Sequence, residues 1–160
     1  MPARIAVVGH PADAGEVAAR VAVAAKADPF AIHVASHDPV ARTGSGLPGG
    51  RQICSLDEAI LRSRRWPSRP TPMVVVIDGR DSRWARTVLD AVETTTVVAL
   101  PSPTDDENAV RAWVAELGGV QALLVDDSCR TSPESLALHG IPALRSPWSL
   151  DRPSTEDGEH

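Results

Sequence analysis

Polar and charged residues directly follow most of the short apolar runs of this sequence. Gly9-His10 follows the first run, Ser36-His37-Asp38 the second, Asp78-Gly79-Arg80-Asp81 the third and Asp126-Asp127 a later one. If the runs are parallel strands, their carboxyl ends meet at one edge of a sheet, which is where such proteins bind ligands. The sequence therefore predicts ligand-binding residues at this edge: His10, His37, Asp38, Arg42, Asp78, Arg80, Asp126 and Asp127.

Two kinds of chemistry are open to these side chains. Carboxylates such as Asp78 and Asp126 are suited to a hard cation, but aspartates at such positions more often cap helices and turns. His33 and His37 share one face of a predicted strand, a spacing that can bring two metal ligands together, although a mid-strand histidine is more typical of a packed core. Cys129 has no histidine partner identifiable from spacing. We predict no catalytic residue, no metal and no cofactor.

The first predicted strand-to-helix turn lies where nucleotide-binding folds hold phosphate. A P-loop needs Gly-x4-Gly-Lys-Ser/Thr, whose lysine contacts the phosphates and whose hydroxyl contacts magnesium. The segment from Gly9 to Val17 is one residue longer, and it has Glu16 in place of the lysine and Val17 in place of the hydroxyl. Glu16 is more simply the capping-box partner of Asp13. The turn also lacks the Gly-x-Gly-x-x-Gly pattern of dinucleotide-binding proteins.

The elements that must position these residues alternate between strands and helices. Aliphatic and β-branched runs are typical of strands covered on both faces: Ile5–Val8, Phe30–Ala35, Met73–Ile77, Thr96–Leu100, Ala122–Val125 and, more weakly, Ile141–Leu144, with Gln52–Cys54 as a further short candidate. Helix starts are predicted at Ser55 with Glu58, Thr104 with Glu107, and Ser132-Pro133; ends are predicted at Gly118-Gly119 and Gly140. The order predicts an α/β three-layer sandwich with a mostly parallel sheet of five to six strands, P-loop-NTPase-like or Rossmann-like.

The domain organisation follows from these elements. Residues 1–145 are expected to form a single α/β domain, and residues 146–160 a disordered acidic tail. The Gly/Pro-rich segment 38–51 is expected to be a mobile loop. Trp66 follows a cluster of arginines (Arg62, Arg64 and Arg65), which is typical either of a partner-docking patch or of a tryptophan closing the lower edge of the sheet. The second interpretation is favoured.

Composition excludes several classes of function. The chain has 160 residues, 21 acidic against 16 basic side chains and a net charge of -5, so a general nucleic-acid binder is not expected. Two cysteines are too few for a disulfide scaffold. The first apolar run is too short for a signal peptide, and no run approaches the ~20 residues of a membrane span. We therefore expect a cytoplasmic protein.

The sequence resembles the GTPase core of signal-recognition-particle-type proteins, including the flagellar member, over residues 4–145. The resemblance rests on the order of its segments: IAVVG, FAIHVASHDPVAR, SLDEAI, MVVVIDGRDS, TTTVVALPSPTDDENAVRAWVAELGGVQALLVDD and HGIPAL. Asp38 and Arg42 resemble that family's Asp-Thr-x-Arg segment with one extra residue between them. Asp78-Gly79-Arg80 resembles its Asp-Thr-Ala-Gly-Arg strand end with the middle shortened, and Gly140-Ile141-Pro142 its Gly-x-Pro strand.

Two working groups of that family have no counterpart here. The phosphate-binding lysine is missing, and Asp126-Asp127-Ser128-Cys129 stands where the guanine-reading Thr-Lys-x-Asp would be. The resemblance therefore implies a degenerate member that has lost GTP hydrolysis. It also implies dimerisation, so a homodimer is an expectation.

Three functional hypotheses remain. The leading one is a non-catalytic regulatory or scaffolding domain that acts through protein–protein contacts. A third, an interaction partner of a secretion or motility apparatus, rests on family analogy alone. The alternative is a small-molecule or phosphate-binding enzyme that uses His10, His37, Asp38, Asp78 and Asp126. In that enzyme the Thr43–Gly50 segment is the lid, and Arg42 and Arg51 meet an anion. Convergence of the five side chains on one pocket distinguishes the two.

Overall fold

A seven-stranded, all-parallel sheet forms the centre of the domain. The computed structural model describes residues 4–28, 32–66 and 71–146. The strands lie in the order β3-β2-β4-β1-β5-β6-β7. Their bounds are β1 Arg4–Gly9, β2 His33–Ala35, β3 Gln52–Ile53, β4 Met73–Asp78, β5 Thr96–Ala99, β6 Ala122–Val125 and β7 Ala143–Arg145.

Helices cover both faces of this sheet. Their bounds are α1 Pro11–Ala24, α2 Pro39–Gly44, α3 Leu56–Ser63, α4 Ser82–Ala91, α5 Glu107–Leu117 and α6 Pro133–Ala137, with a 3₁₀ turn at Gly49–Arg51. The apolar side of α1 packs on one face of the sheet, whereas buried residues of α3, α4, α5 and α6 pack on the other. The chain therefore forms the three-layer α/β sandwich that the sequence predicts.

The pairing of β1 with β4 sets the geometry of the carboxyl edge. All six residues of each strand are buried, because Val, Ile and Ala side chains pack against helices on both faces. The register runs from Arg4 opposite Met73 to Gly9 opposite Asp78. Gly9 and Asp78 thus end their strands side by side, and the residues that follow them emerge at the same level.

The number of strands was underestimated from the sequence. The strong runs form the expected strands, and Gln52–Cys54 and Ile141–Leu144 correspond to the short edge strands β3 and β7. The described part of the chain therefore has seven strands rather than five or six. Phe30 and Ala31, assigned to the second run, lie outside the described residues, as do residues 147–160 of the expected tail. The described helices include none long and apolar enough to cross a membrane.

Two of the predicted helix starts are confirmed and two are wrong. Ser55 and Ser132 cap α3 and α6, and Gly118, at a φ of 88°, ends α5. The helix α5 begins two residues later than expected, because the carboxylate of Asp106 accepts the N–H of Ala109 (2.8 Å). The capping box assigned to Asp13 and Glu16 is wrong as well, because both lie inside α1, which begins at Pro11.

The segment 38–51 is folded into short helices rather than an irregular loop. Asp38 accepts the N–H of Val40 (3.0 Å) and so caps α2, and Pro39 occupies the first helical position, where its missing N–H costs nothing. The expected lid Thr43–Gly50 is therefore partly helical. Asp-Pro is itself a helix-start signal, and it outweighed the glycines that suggested a loop.

Trp66 is a core residue at the amino end of the sheet. It is 4% exposed, its ring lies 5.2 Å from that of His33, and the guanidinium of Arg4 lies 5.6 Å from its ring centroid. The docking-patch interpretation of Trp66 is wrong, because a side chain this buried cannot anchor a partner. His33 is likewise buried, as a mid-strand histidine was expected to be.

Candidate ligand site at the carboxyl edge of the sheet

Asp78 is the buried centre of a hydrogen-bonded network at the end of β4. It is 4% exposed, and its carboxylate accepts the hydroxyl of Ser36 at 2.7 Å. Arg80 donates to the same carboxylate twice, from Nε to Oδ1 at 2.9 Å and from Nη2 to Oδ2 at 2.7 Å. The backbone N–H of Arg80 completes the set at 3.1 Å. Asp78 is thus held by two neighbouring strand ends.

Arg80 also reaches across to Asp38. Its Nη2 lies 3.1 Å from Oδ2 of Asp38, whose other oxygen caps α2. Arg42, one turn into α2, donates to the carbonyl of Ser36 at 2.7 Å. The structure therefore brings together four of the residues predicted for this site, namely Asp38, Arg42, Asp78 and Arg80, and Ser36 connects them.

The charges in this network compensate one another. Burial would by itself raise the pKa of Asp78, but the hydrogen bonds from Arg80 and Ser36 outweigh burial and lower that pKa. The N–H of Val40 lowers the pKa of Asp38, and Arg80 lowers it further. The bond to Asp78 in turn raises the pKa of Arg80. Both carboxylates remain ionised, and they share one bound cation, the guanidinium of Arg80.

The junction of β1 and α1 differs from the expected loop. The helix starts at Pro11, so one residue, His10, separates it from Gly9. The imidazole Nδ1 of His10 accepts the N–H of Ala12 at 3.3 Å, and the carbonyl of His10 accepts the N–H of Ala14 at 2.9 Å. The phosphate-binding loop looked for between Gly9 and Val17 is therefore helix from its third residue onward.

His37 lies beside the network without joining it. Its Nε2 is 3.7 Å from Oδ2 of Asp81, which caps α4, and its ring meets Trp84 edge-on at 5.0 Å. His33 begins β2, and the two histidines are four positions apart, roughly 13 Å along an extended chain. Among residues 4–28, 32–66 and 71–146, no group of three potential ligands is arranged to hold a metal.

Asp126 and Asp127 lie elsewhere on the edge. Their strand β6 is three positions from β4, a separation of about 14 Å at ordinary strand spacing. Asp126 accepts the backbone N–H of Ser128 at 2.9 Å, and Asp127 pairs with Arg145 at 2.8 Å. The structure therefore does not bring Asp126 to Asp78, and the five residues of the enzyme hypothesis do not meet in one pocket.

A cleft of about 400 Å³ opens beside the network, between the ends of β1, β4 and β5. Sequence reasoning missed two residues that shape this part of the edge. Ser36 was noted only as preceding His37. Trp113 packs against the sheet, and its Nε1 donates to the carbonyl of Gly79 at 2.9 Å. The lining residues are Gly9, His10, Asp13, Gly79, Arg80, Leu100, Pro101, Ser102, Pro103, Asp105 and Trp113.

The fold of the chain is similar to that of a solved structure. No protein-family profile matches the chain, and no curated protein matches it in sequence. The fold matches the signal recognition particle receptor FtsY from Elizabethkingia anophelis. In complex with GDP that protein aligns with a TM-score of 0.52 and 14% identity, over 85% of this chain and 52% of FtsY. A second structure of it gives 0.51 and 13%, over 86% and 53%.

These similarities concern the fold. The chain spans about half the length of the FtsY chains that it matches. The three-layer α/β fold expected from the sequence is confirmed at that level.

Proposed function

We propose that this domain is a regulatory or scaffolding module that has the layout of a signal-recognition-particle-type GTPase but does not hold nucleotide phosphates, and that acts through contacts with other proteins. The start of α1 is the observation that carries the proposal. The network around Asp78 supports it.

A helix binds phosphate through the free N–H groups of its first turn. In α1 the first residue is Pro11, which has no N–H, and the N–H of Ala12 is taken by the ring of His10. The N–H of Ala14 already makes the first hydrogen bond within the helix, to the carbonyl of His10. Asp13 adds a carboxylate to the same turn. The end of α1 that faces the carboxyl edge therefore offers a phosphate few free donors and a repelling charge.

The cationic side chain that lines the cleft beside the start of α1 is already paired. Arg80 is the cationic side chain of the cleft lining, and its guanidinium is bound to Asp78 and Asp38. A phosphate that recruited Arg80 would leave the buried carboxylate of Asp78 without its partner, which is costly. Nucleotide binding at this edge would thus have to break an ion pair before gaining one.

Protein contacts are supported by the edge of the sheet that is formed by β7. Leu138, at the end of α6, is 87% exposed, and Leu144, in the edge strand β7, is 58% exposed. Exposed large apolar side chains at the edge of a sheet favour association. A second copy of this chain is the partner that we expect to be found first.

The phosphate part of the proposal is tested with a fluorescent GTP analogue and Mg²⁺, followed by anisotropy and by release of phosphate. We expect a Kd weaker than about 1 mM and no turnover. Saturable micromolar binding, or turnover that is lost in Asp78→Asn and kept in Asp90→Asn, would overturn it. Asp90 is a matched control because it lies near the end of α4, where it pairs with Arg86.

The contact part is tested by sedimentation velocity over a range of protein concentrations. We expect concentration-dependent self-association that the double variant Leu138→Ser/Leu144→Ser abolishes. The exposed Val23 of α1 provides the control, because Val23→Ser removes a similar apolar side chain from another surface. A monomer at every concentration would contradict the homodimer and leave the phosphate part standing.

A further inference from the structure

We propose that a second copy of this chain docks face to face on the surface that β5, β6 and β7 present on the side of α1. The inference rests on the proposed function, in which the chain associates with itself near the edge formed by β7, and it names the surface that is used. It also separates the two exposed leucines of that region, because Leu144 lies in this surface and Leu138 lies outside it.

The strand register places four apolar side chains on this surface. Val98 packs against the apolar cluster under α1, and it is paired with Ala122 in the register of β5 and β6. Leu124 packs against the same cluster and is paired with Leu144 of β7. Paired residues of neighbouring parallel strands point to the same side of the sheet. Val98, Ala122, Leu124 and Leu144 therefore share the α1 side, and together they are called the open face below.

The two sides of these strands differ in burial. In β5 and β6 partly buried residues alternate with buried ones. The buried positions, Val97, Ala99, Leu123 and Val125, belong to the core on the other side of the sheet. The open face is partly exposed throughout, and Leu144 is 58% exposed. Strands of a parallel sheet are ordinarily covered on both sides, so this alternation indicates an incompletely covered face.

The connections between the strands explain the missing cover. Right-handed crossovers that advance in one direction place their helices on one side of the sheet. The steps from β5 to β6 and from β6 to β7 therefore put α5 and α6 together on the far side, where both are packed. Among the helices of the described ranges, only α1 contributes buried residues to the cluster on the near side, and it packs mainly on β1 and β4.

A second copy fits this surface because the surface is a step. On one side of the open face α1 rises about 10 Å above the sheet, and on the other side the sheet ends at β7. Two sheets pack face to face about 10 Å apart. A twofold axis that runs parallel to the strands above β6 thus places α1 of each copy level with the sheet of its partner and beside β7. Such a self-complementary patch is what a twofold dimer requires.

The area available to this docking indicates its strength. Three strands of about four residues present roughly 180 Å². The two places where α1 of one copy lies along β7 of the other are each about 20 Å long and 10 Å high, and add roughly 400 Å². The total is somewhat below the ~800 Å² that each partner of a standard interface buries. We therefore expect a weak dimer that dissociates on dilution.

The first test is sedimentation velocity of the whole chain over a range of concentrations. Leu144→Lys places a charge in the apolar interface and should raise the dissociation constant of the dimer at least about tenfold. Leu138→Lys is the matched control, because it makes the same change at the end of α6, which packs on the other side of the sheet. It should change the constant by less than about twofold.

The second test uses a substitution that adds no charge. Under the proposed axis the two copies of Leu124 face each other, so a short bismaleimide should link Leu124→Cys into a covalent dimer. Leu138→Cys should not be linked. Both variants are made with Cys54→Ser, which removes the exposed natural thiol.

The outcomes separate this inference from the proposed function. Loss of association in Leu138→Lys but not in Leu144→Lys, or equal linking at both cysteines, would overturn the face-to-face docking and leave self-association standing. A monomer at every concentration would contradict self-association itself, and the docking with it.

Discussion

Two arginines at opposite ends of the sheet are stabilised in different ways. Arg80, at the carboxyl edge, is bound by the carboxylates of Asp78 and Asp38. Arg4, at the amino end, is buried and donates to neutral oxygens: the hydroxyl of Ser63 at 2.7 Å and the carbonyl of Val92 at 2.8 Å. The carboxylate of Glu93 lies 4.0 Å from Nη1 of Arg4, and the Glu93 side chain is largely exposed.

The two ends of the sheet are therefore stabilised by different interactions, the amino end by packing and the carboxyl edge by charge. The amino end is closed by the buried ring of Trp66, so its contribution to stability depends on apolar contact and on neutral hydrogen bonds. The carboxyl edge is closed by an ion pair whose aspartates titrate. Substitutions that remove side-chain volume should therefore lower the stability of the fold most at the amino end. Substitutions that remove a charge should lower it most at the carboxyl edge.

The largest effect is expected from Trp66→Ala. It removes a buried ring together with its contacts to Arg4 and His33, and should lower the free energy of unfolding by about 3–5 kcal/mol. Urea denaturation followed by circular dichroism measures the loss. Leu61→Ala, at an exposed position of α3, should change stability by less than about 0.5 kcal/mol. A small effect of Trp66→Ala would refute the packed amino end.

A smaller effect is expected from Arg80→Met. It leaves the buried carboxylate of Asp78 without its main partner, but the arginine side chain is 44% exposed, so solvent screens part of the loss and about 2 kcal/mol is expected. The double variant Arg80→Met/Asp78→Asn should regain part of it, because the unpaired charge is gone. A double variant less stable than the single one would contradict the ion-pair account.

The pH dependence should distinguish the two ends further. Because the folded-state pKa of Asp78 lies below its unfolded value, its stabilising contribution is complete above about pH 4 and is lost as the pH falls through the folded pKa. The unfolding free energy of the natural chain should therefore fall more steeply below pH 4 than that of Asp78→Asn. The loss caused by Trp66→Ala should change little over the same acid range, because that substitution removes no carboxylate. Parallel acid profiles for the natural chain and Asp78→Asn would contradict this assignment.

The smallest effect is expected from Asp38→Ala, which removes the cap of α2 and the outer contact of Arg80. Asp38→Ser restores a capping oxygen without the charge, and should recover most of the stability if capping dominates. Thermal unfolding of the natural chain, Asp38→Ala and Asp38→Ser measures their relative stability. Equal loss in both variants would assign the effect of Asp38 to its charge.

The fold was predictable from the sequence where strands are buried on both faces. The runs that became β1 and β4 are continuously apolar, and such runs have few alternatives in a folded domain. The strands β3 and β7 have only two and three residues. Segments this short have too few apolar positions to predict a strand from the sequence alone. The glycines of segment 38–51 obscured α2, although Asp38-Pro39 already indicated its start.

The site was predictable only in part, because its contacts depend on strand order. Asp78 and Arg80 are two residues apart, so their proximity follows from the sequence. Ser36 and Asp78 are 42 residues apart and meet because β2 lies beside β4, an arrangement that no local pattern encodes. For the same reason the sequence analysis wrongly placed Asp126 in one site with Asp78. In the structure β1 and β5 lie between their strands.

The central claim is that the start of α1 does not hold phosphate, and the backbone amide signals of residues 10–16 test it most directly. The measurement is a titration of the ¹⁵N-labelled chain with GTP and Mg²⁺. The account predicts that the signal of Ala12 stays in place, because its N–H is already bonded to the ring of His10. A saturable shift of this signal would show that phosphate displaces that bond, and would contradict the claim.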